Sequence, residues 1–116
     1  VLAEHGDRAL HTLDRIVEFC GALDEVVARG HDAFVRDRML QWAAEMGLIR
    51  IGEAVNRLPP ELLREYGGQP WRQIIGLRNV AAHQYDDINY ERLWNTLVRR
   101  VPELRRYITA NLLGEE

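Results

Sequence analysis

From Leu10 onward, apolar side chains return every three or four residues: Leu10, Leu13, Ile16/Val17, Cys20, Leu23 and Val26/Val27. That rhythm places them on one side of a helix and leaves the charged residues between them on the other. No stretch alternates with period two in β-branched residues, which argues against a sheet. The chain must therefore be solved as helices packed on helices. Its 116 residues suit one domain, residues 1–116, and a chain of this length can bury roughly two-thirds of its unfolded surface.

The first helix is expected from about Asp7 to Ala28. Arg29-Gly30-His31-Asp32 ends it, with Gly30 able to take a left-handed cap. A second, long helix is expected from about Phe34 to Leu58. Leu40, Ala43/Ala44, Leu48, Ile51, Val55 and Leu58 form its main stripe, while Met39, Trp42, Met46 and Ile49 widen it to a second face. A helix apolar on two faces sits centrally or meets a partner. Gly47 and Gly52 would let another helix approach closely. Pro59-Pro60 stop this helix and open the short segment ELLREY, which Gly67-Gly68 end. Pro70 opens a third substantial helix, PWRQIIGLRNVAAHQY. Asp86, Asp87 and Asn89 are turn and N-cap residues for the last helix, which Pro102 should kink or restart. The expected fold is all-α: an antiparallel bundle of four main helices plus a short connecting helix.

The formal net charge is −3, but it is unevenly spread. Residues 1–70 carry 8 Arg and 12 acids, whereas residues 71–106 carry 7 Arg and 4 acids. Every basic residue is Arg, a planar fork of donors suited to phosphate. This is compatible with an anionic partner, and equally with codon bias. A single cysteine, Cys20, allows no internal disulfide, and no C-x-x-C or H-x-x-x-H pair suggests a metal. No apolar run approaches the ~20 residues of a membrane span. The polar start, VLAEHGDRAL, lacks a basic n-region. A cytoplasmic location without a membrane, a metal or a cofactor is the expectation.

One stretch departs from this pattern of stripe and surface: 77-LRNVAAHQYDD-87. Asn79 and His83 are four apart, so on a regular helix the amide can orient the imidazole. Arg78 and His83 are five apart and diverge by roughly 140°. Histidine is the group that can both take and give a proton near neutrality. An arginine beside it can stabilise a phosphate or its pentacovalent transition state. With no thiol nucleophile and no carboxylate cluster for Mg²⁺, the pair suits attack by an RNA 2′-hydroxyl on the adjacent phosphate. That reaction needs a base and an acid. One chain offers one placed histidine, whereas a two-fold dimer offers two, so a composite site at a dimer interface is expected. The same residues could instead be a helix-end histidine, a surface arginine and a half-buried ring. Glu53, in an apolar setting on the second helix, is expected to bond Arg78 or another buried donor.

The run Arg78-Asn79-Val80-Ala81-Ala82-His83-Gln84-Tyr85 has the form R-x-x-x-x-H-x-Y. Together with 51-IGEAVNRL-58, 69-QPWRQIIGLRN-79 and 87-DINYERLWNTL-97, it resembles the HepT toxins of the HEPN superfamily of helical ribonuclease domains. The resemblance extends over nearly the whole chain and is most specific in residues 51–97. It implies a metal-independent RNA endonuclease, the toxin of a type VII-like toxin–antitoxin pair. It further implies a homodimer with Arg78 and His83 around one cleft. A cognate MNT-type nucleotidyltransferase antitoxin would silence the toxin by transferring AMP to Tyr85. An added nucleotide brings charge and bulk beside the cleft and should repel RNA phosphate. Some relatives suggest an alternative, a non-catalytic subunit presenting a nucleotide or substrate to the nucleotidyltransferase.

Overall fold

The computed structural model describes residues 6–80 and 88–113. Within them the chain is helical, with no strand. Helix α1 spans Gly6–Ala28 and buries Ala9, Leu13, Ile16, Cys20, Leu23 and Val26; the expected stripe holds from Leu13 onward, while Leu10 is exposed and Ala9 takes its place. Gly30 follows at φ 92°, ψ 159°. The positive φ is the one glycine favours, although ψ is extended rather than left-handed helical. The expected second helix is divided. A short α2, His31–Arg36, stops at Asp37, and the long α3 runs Arg38–Asn56. Asp37 has extended backbone, and its carboxylate accepts the Met39 N–H at 2.8 Å. It is the N-cap of α3, and its φ/ψ end the preceding helix.

Helices α1 and α3 pack antiparallel. Near the end of α1, Leu23 lies against Gly47, while His11 and Arg15 near its start face Arg57 and Arg50. A Cβ at Gly47 would sit 2.6 Å from a Leu23 methyl. The small residue expected to admit a partner helix thus admits α1 of its own chain. Short α4, Pro60–Glu65, follows with proline in its first turn. The Trp71 indole donates to the Tyr66 carbonyl at 2.7 Å, and the Gly68 N–H donates to the Tyr107 hydroxyl at 3.1 Å. These bonds tie the 66–70 connection down before α5, Trp71–Gly76.

The last helical rod begins at α6, Tyr90–Asn95, capped by Asn89, whose side chain accepts the Glu91 and Arg92 N–H groups at 3.1 Å. It then widens into a π-helical segment, Thr96–Arg100, continues as α7, Val101–Tyr107, and widens again over Ile108–Leu112. Pro102 falls in the first turn of α7. Its missing N–H and ring clash with a tight preceding turn, so the wide turn accommodates it. The core spacing needs wide turns too. Leu93, Leu97, Val101, Leu104, Ile108 and Leu112 are all buried. At 3.6 residues per turn their mostly four-residue steps would wind about 100° out of line by Leu112. The π turns take up that drift.

The main correction concerns the third helix. The α-helical hydrogen-bonding pattern ends at Gly76, and Leu77–Asn79 form a 3₁₀ turn in which the Val80 N–H bonds the Leu77 carbonyl at 3.0 Å. Gly52 of α3 fixes where that turn lies. A Cβ there would stand 2.7 Å from the Arg78 amide nitrogen and 2.9 Å from the Ile74 carbonyl oxygen. Both are backbone atoms, so the turn could not yield by moving a side chain. Gly52, like Gly47, serves packing within the chain.

Three measurements check this packing. Cys20 is fully buried, and burial, reinforced by Asp24 and opposed by Arg105, pushes its thiol from 9.0 up to about 12. A folded-state pKa above the unfolded one gives stability that is intact below pH 9 and lost as pH rises toward 12. Denaturant titrations should show that loss, Cys20→Ala should reduce its slope, and iodoacetamide should label Cys20 only after unfolding. Gly52→Ala should destabilise by about 1–3 kcal/mol, read as a melting temperature lower by roughly 5 °C or more. A variant melting with the wild type would mean that the contact is not tight.

Candidate active site

Arg78 stands on the 3₁₀ turn with its side chain exposed, beside exposed Asn79. Among the described residues neither side chain has a hydrogen bond or an ion pair. The backbone of Arg78 is pressed onto α3 at Gly52 while its side chain is exposed. This is the half of the sequence-derived constellation that can be placed. His83 and Tyr85, like Asp86 and Asp87, lie outside the described residues. The 3₁₀ turn changes the geometric problem posed by the five-residue separation, because Arg78 does not sit on a regular α-helix that would carry it around from His83.

Glu53 is not where its apolar setting suggested. It is exposed, and no hydrogen bond or ion pair joins it to Arg78. The physical reason is helical phase. Residue 53 lies about 100° round α3 from Gly52, so Gly52 faces the Arg78 turn while Glu53 faces α1. There it shares a polar groove with His11, Arg15, Arg50 and Arg57. The expected link between this carboxylate and Arg78 is absent, and any orienting role for Glu53 would have to be exercised from that groove.

A different acid of α3 is buried. Glu45 is 8% exposed, the one buried charged residue among those described. It lies seven residues before Gly52 and therefore on nearly the same face. Its carboxylate accepts the Tyr90 hydroxyl at 3.1 Å. Burial first, then the Glu45 charge and this bond, push the Tyr90 phenol above its ordinary 10.0. Tyr90 packs edge-on to Phe34, which also meets Trp94, and Trp94 in turn meets His31 edge-on. The His31 imidazole bonds Glu91 at 2.8 Å. This aromatic cluster anchors the start of α6 against α2. Sequence reasoning passed over Glu45; its one signal was an acid lying a heptad before a packing glycine.

No helix among the described residues is long and apolar enough to cross a membrane. Nor, among those residues, do three His, Cys, Asp or Glu side chains converge as a metal site would require.

Comparison with known proteins bears on what this arrangement belongs to. A family model described as ribonuclease HepT-like matches residues 10–110. A candidate RNase of Caldanaerobacter subterraneus subsp. tengcongensis is 34% identical over 105 residues, covering 90% of this chain and 94% of that protein. A candidate RNase of Methanocaldococcus jannaschii is 38% identical over 71 residues, 61% of this chain and 59% of its own length. A candidate ribonuclease HepT of Thermococcus cleftensis is 31% identical over 72 residues, 62% and 66% of the two chains. No solved structure gives a significant match. With the family model spanning nearly the whole bundle, and a relative aligned over nine-tenths of the chain, this protein belongs to the HepT-like ribonuclease family.

Proposed function

We propose that this chain is a metal-independent RNA endonuclease in which Arg78 and His83 act at a site shared by two protomers. The observation that carries the reading is the placement of Arg78. A rigid backbone contact at Gly52 holds it, yet its guanidinium is exposed and unpaired among the described residues. Family membership supplies the substrate class, RNA.

The chemistry follows from the groups available. The 2′-oxygen attacks the neighbouring phosphorus while one imidazole takes the 2′ proton. The bond to the 5′-oxygen breaks as a second imidazolium protonates that oxygen, leaving a 2′,3′-cyclic phosphate and a free 5′-hydroxyl. Arg78 stabilises the added negative charge of the pentacovalent phosphorus, and Asn79 orients the imidazole. One protomer offers one such histidine, so the base and the acid come from two copies.

The surface of α3 supports that assembly. Met39 is 64% exposed, Trp42 54% and Met46 49%. They recur at three- and four-residue spacing along one outward face, with Arg38 stacked over the Trp42 ring at 5.5 Å. An apolar patch of this kind marks an interface, and a second copy of the chain is the occupant that completes the site. In the same reading the protein is the toxin of a toxin–antitoxin pair. Its MNT-type nucleotidyltransferase partner transfers AMP from ATP to the Tyr85 oxygen, releasing pyrophosphate and blocking the cleft with charge.

Arg78→Ala and His83→Ala should each reduce RNA cleavage by at least about 10²-fold with helicity unchanged, and EDTA should leave the wild-type rate intact. Wild-type cleavage by His83→Ala in EDTA would refute the mechanism. Trp42→Glu should convert a dimer to a monomer in sedimentation equilibrium and lower cleavage in parallel. A monomer of full activity would show the site to be complete in one chain.

A further inference from the structure

Between α5 and the last helical rod lies an apolar cleft walled by Ile51, Ile74, Leu77 and Leu104, with exposed Gln73 and Arg100 bordering it. Leu77 and Thr96 line this cleft and also a second depression that reaches Val80 and Arg92. Arg92 and Thr96 in turn line a third, with Asn95, Arg99 and Arg100. Shared walls make the three depressions one surface. It begins at the 3₁₀ turn that carries Arg78, since Leu77 is the first residue of that turn.

The charge on this surface has one sign. Arg92, Arg99 and Arg100 are exposed, and their spacing of seven and eight residues keeps them on one side of the rod. Among the described residues no carboxylate lies within ion-pair distance of any of the three. Glu91, next to Arg92 in sequence, is held on the α2 side by His31. Two exposed arginines elsewhere are paired, Arg105 with Asp24 and Arg15 with Glu18. Three guanidiniums unpaired among the described residues thus lie together beside an apolar cleft. They suit a ligand that alternates anionic groups with flat apolar ones.

We infer that this surface is the path of single-stranded RNA toward Arg78, with phosphates on Arg92, Arg99 and Arg100 and one unstacked base in the cleft beside Arg100. It rests on the ribonuclease reading above and adds the route and strandedness of the substrate. Duplex RNA keeps its bases stacked and offers a protein mainly phosphates and 2′-hydroxyls, whereas a base lifted from a single strand can enter an apolar cleft. The Arg100 guanidinium offers a plane for it to stack on. The Gln73 amide, both donor and acceptor, suits a base edge. An acidic peptide would satisfy the arginines but would leave the cleft unused.

The test uses a 2′-O-methyl oligoribonucleotide, which binds but lacks the attacking hydroxyl, with binding followed by fluorescence anisotropy across salt concentrations. The wild type should bind the single strand in preference to the duplex of the same sequence. The slope of log K against log salt should flatten by about 0.7 for each of Arg92→Gln, Arg99→Gln and Arg100→Gln, and by about 2 in the triple variant. Arg29→Gln, on the far end of α1, should leave it unchanged. A triple variant that is folded by circular dichroism and keeps the wild-type slope overturns the path, as does equal affinity for duplex. Should the triple variant not fold, the three single variants decide. The two readings fail separately. An unchanged slope with intact cleavage of ordinary RNA removes the path and leaves the ribonuclease. The expected slopes without any cleavage remove the ribonuclease and leave the path.

Discussion

The absence of a side chain at Gly52 is the constraint on which the candidate site depends. Two helices normally stand apart by the width of the side chains between them. At Gly52 that spacer is missing, and the backbone of Ile74 through Arg78 comes within van der Waals contact of α3. An arginine head can then be exposed on a base that cannot shift. The same close approach places Leu77 over Leu48 and Ile51, joining the site to the centre of the core.

Helix α3 therefore has three jobs on one cylinder. Ala44, Leu48, Ile51 and Val55 face the core. Glu45 and Gly52, on an adjoining face, meet Tyr90 and the Arg78 turn. The exposed side is apolar along Met39, Trp42 and Met46 and, further on, polar along Arg50, Glu53 and Arg57, which border the groove against α1. Polar residues on so apolar a helix are ambiguous in sequence, because one position along the chain is about 100° around the axis. Glu53 looked like the buried acid and Glu45 drew no notice; in the structure Glu53 is exposed and Glu45 buried. Only the position of a neighbouring element distinguishes them, and periodicity carries no information about that.

The helical class, the stripe of α1, the short α4 and the Asn89 cap were legible, because each rests on local chemistry: a period, a proline, a side chain that accepts two N–H groups. The break at Asp37 was not. An aspartate between apolar residues reads as solvent face as readily as N-cap, and only its extended backbone decides. The 3₁₀ turn at Leu77–Asn79 was equally hidden, since three residues are too few for a period of three to separate from one of 3.6. Of the site itself, the residue types at Arg78 and Asn79 were readable and their support was not. The contact that positions them is made by a residue with no side chain to notice.

The wide turns of the last rod have a further meaning. A π segment is what an α-helix becomes when it carries one residue more than its turn can hold. Thr96–Arg100 and Ile108–Leu112 each act as such a surplus. Removing a single residue from the first would restore a regular helix with the residues beyond it still in phase, whereas a loss between the two segments would rotate everything beyond it by about 100°. In that second case Ile108 and Leu112 would swing out of the core together. The rod is thus keyed like a shaft with two notches. Its inner and outer faces are held in phase by those extra residues, so the rod can lose a residue at its two notches and not between them.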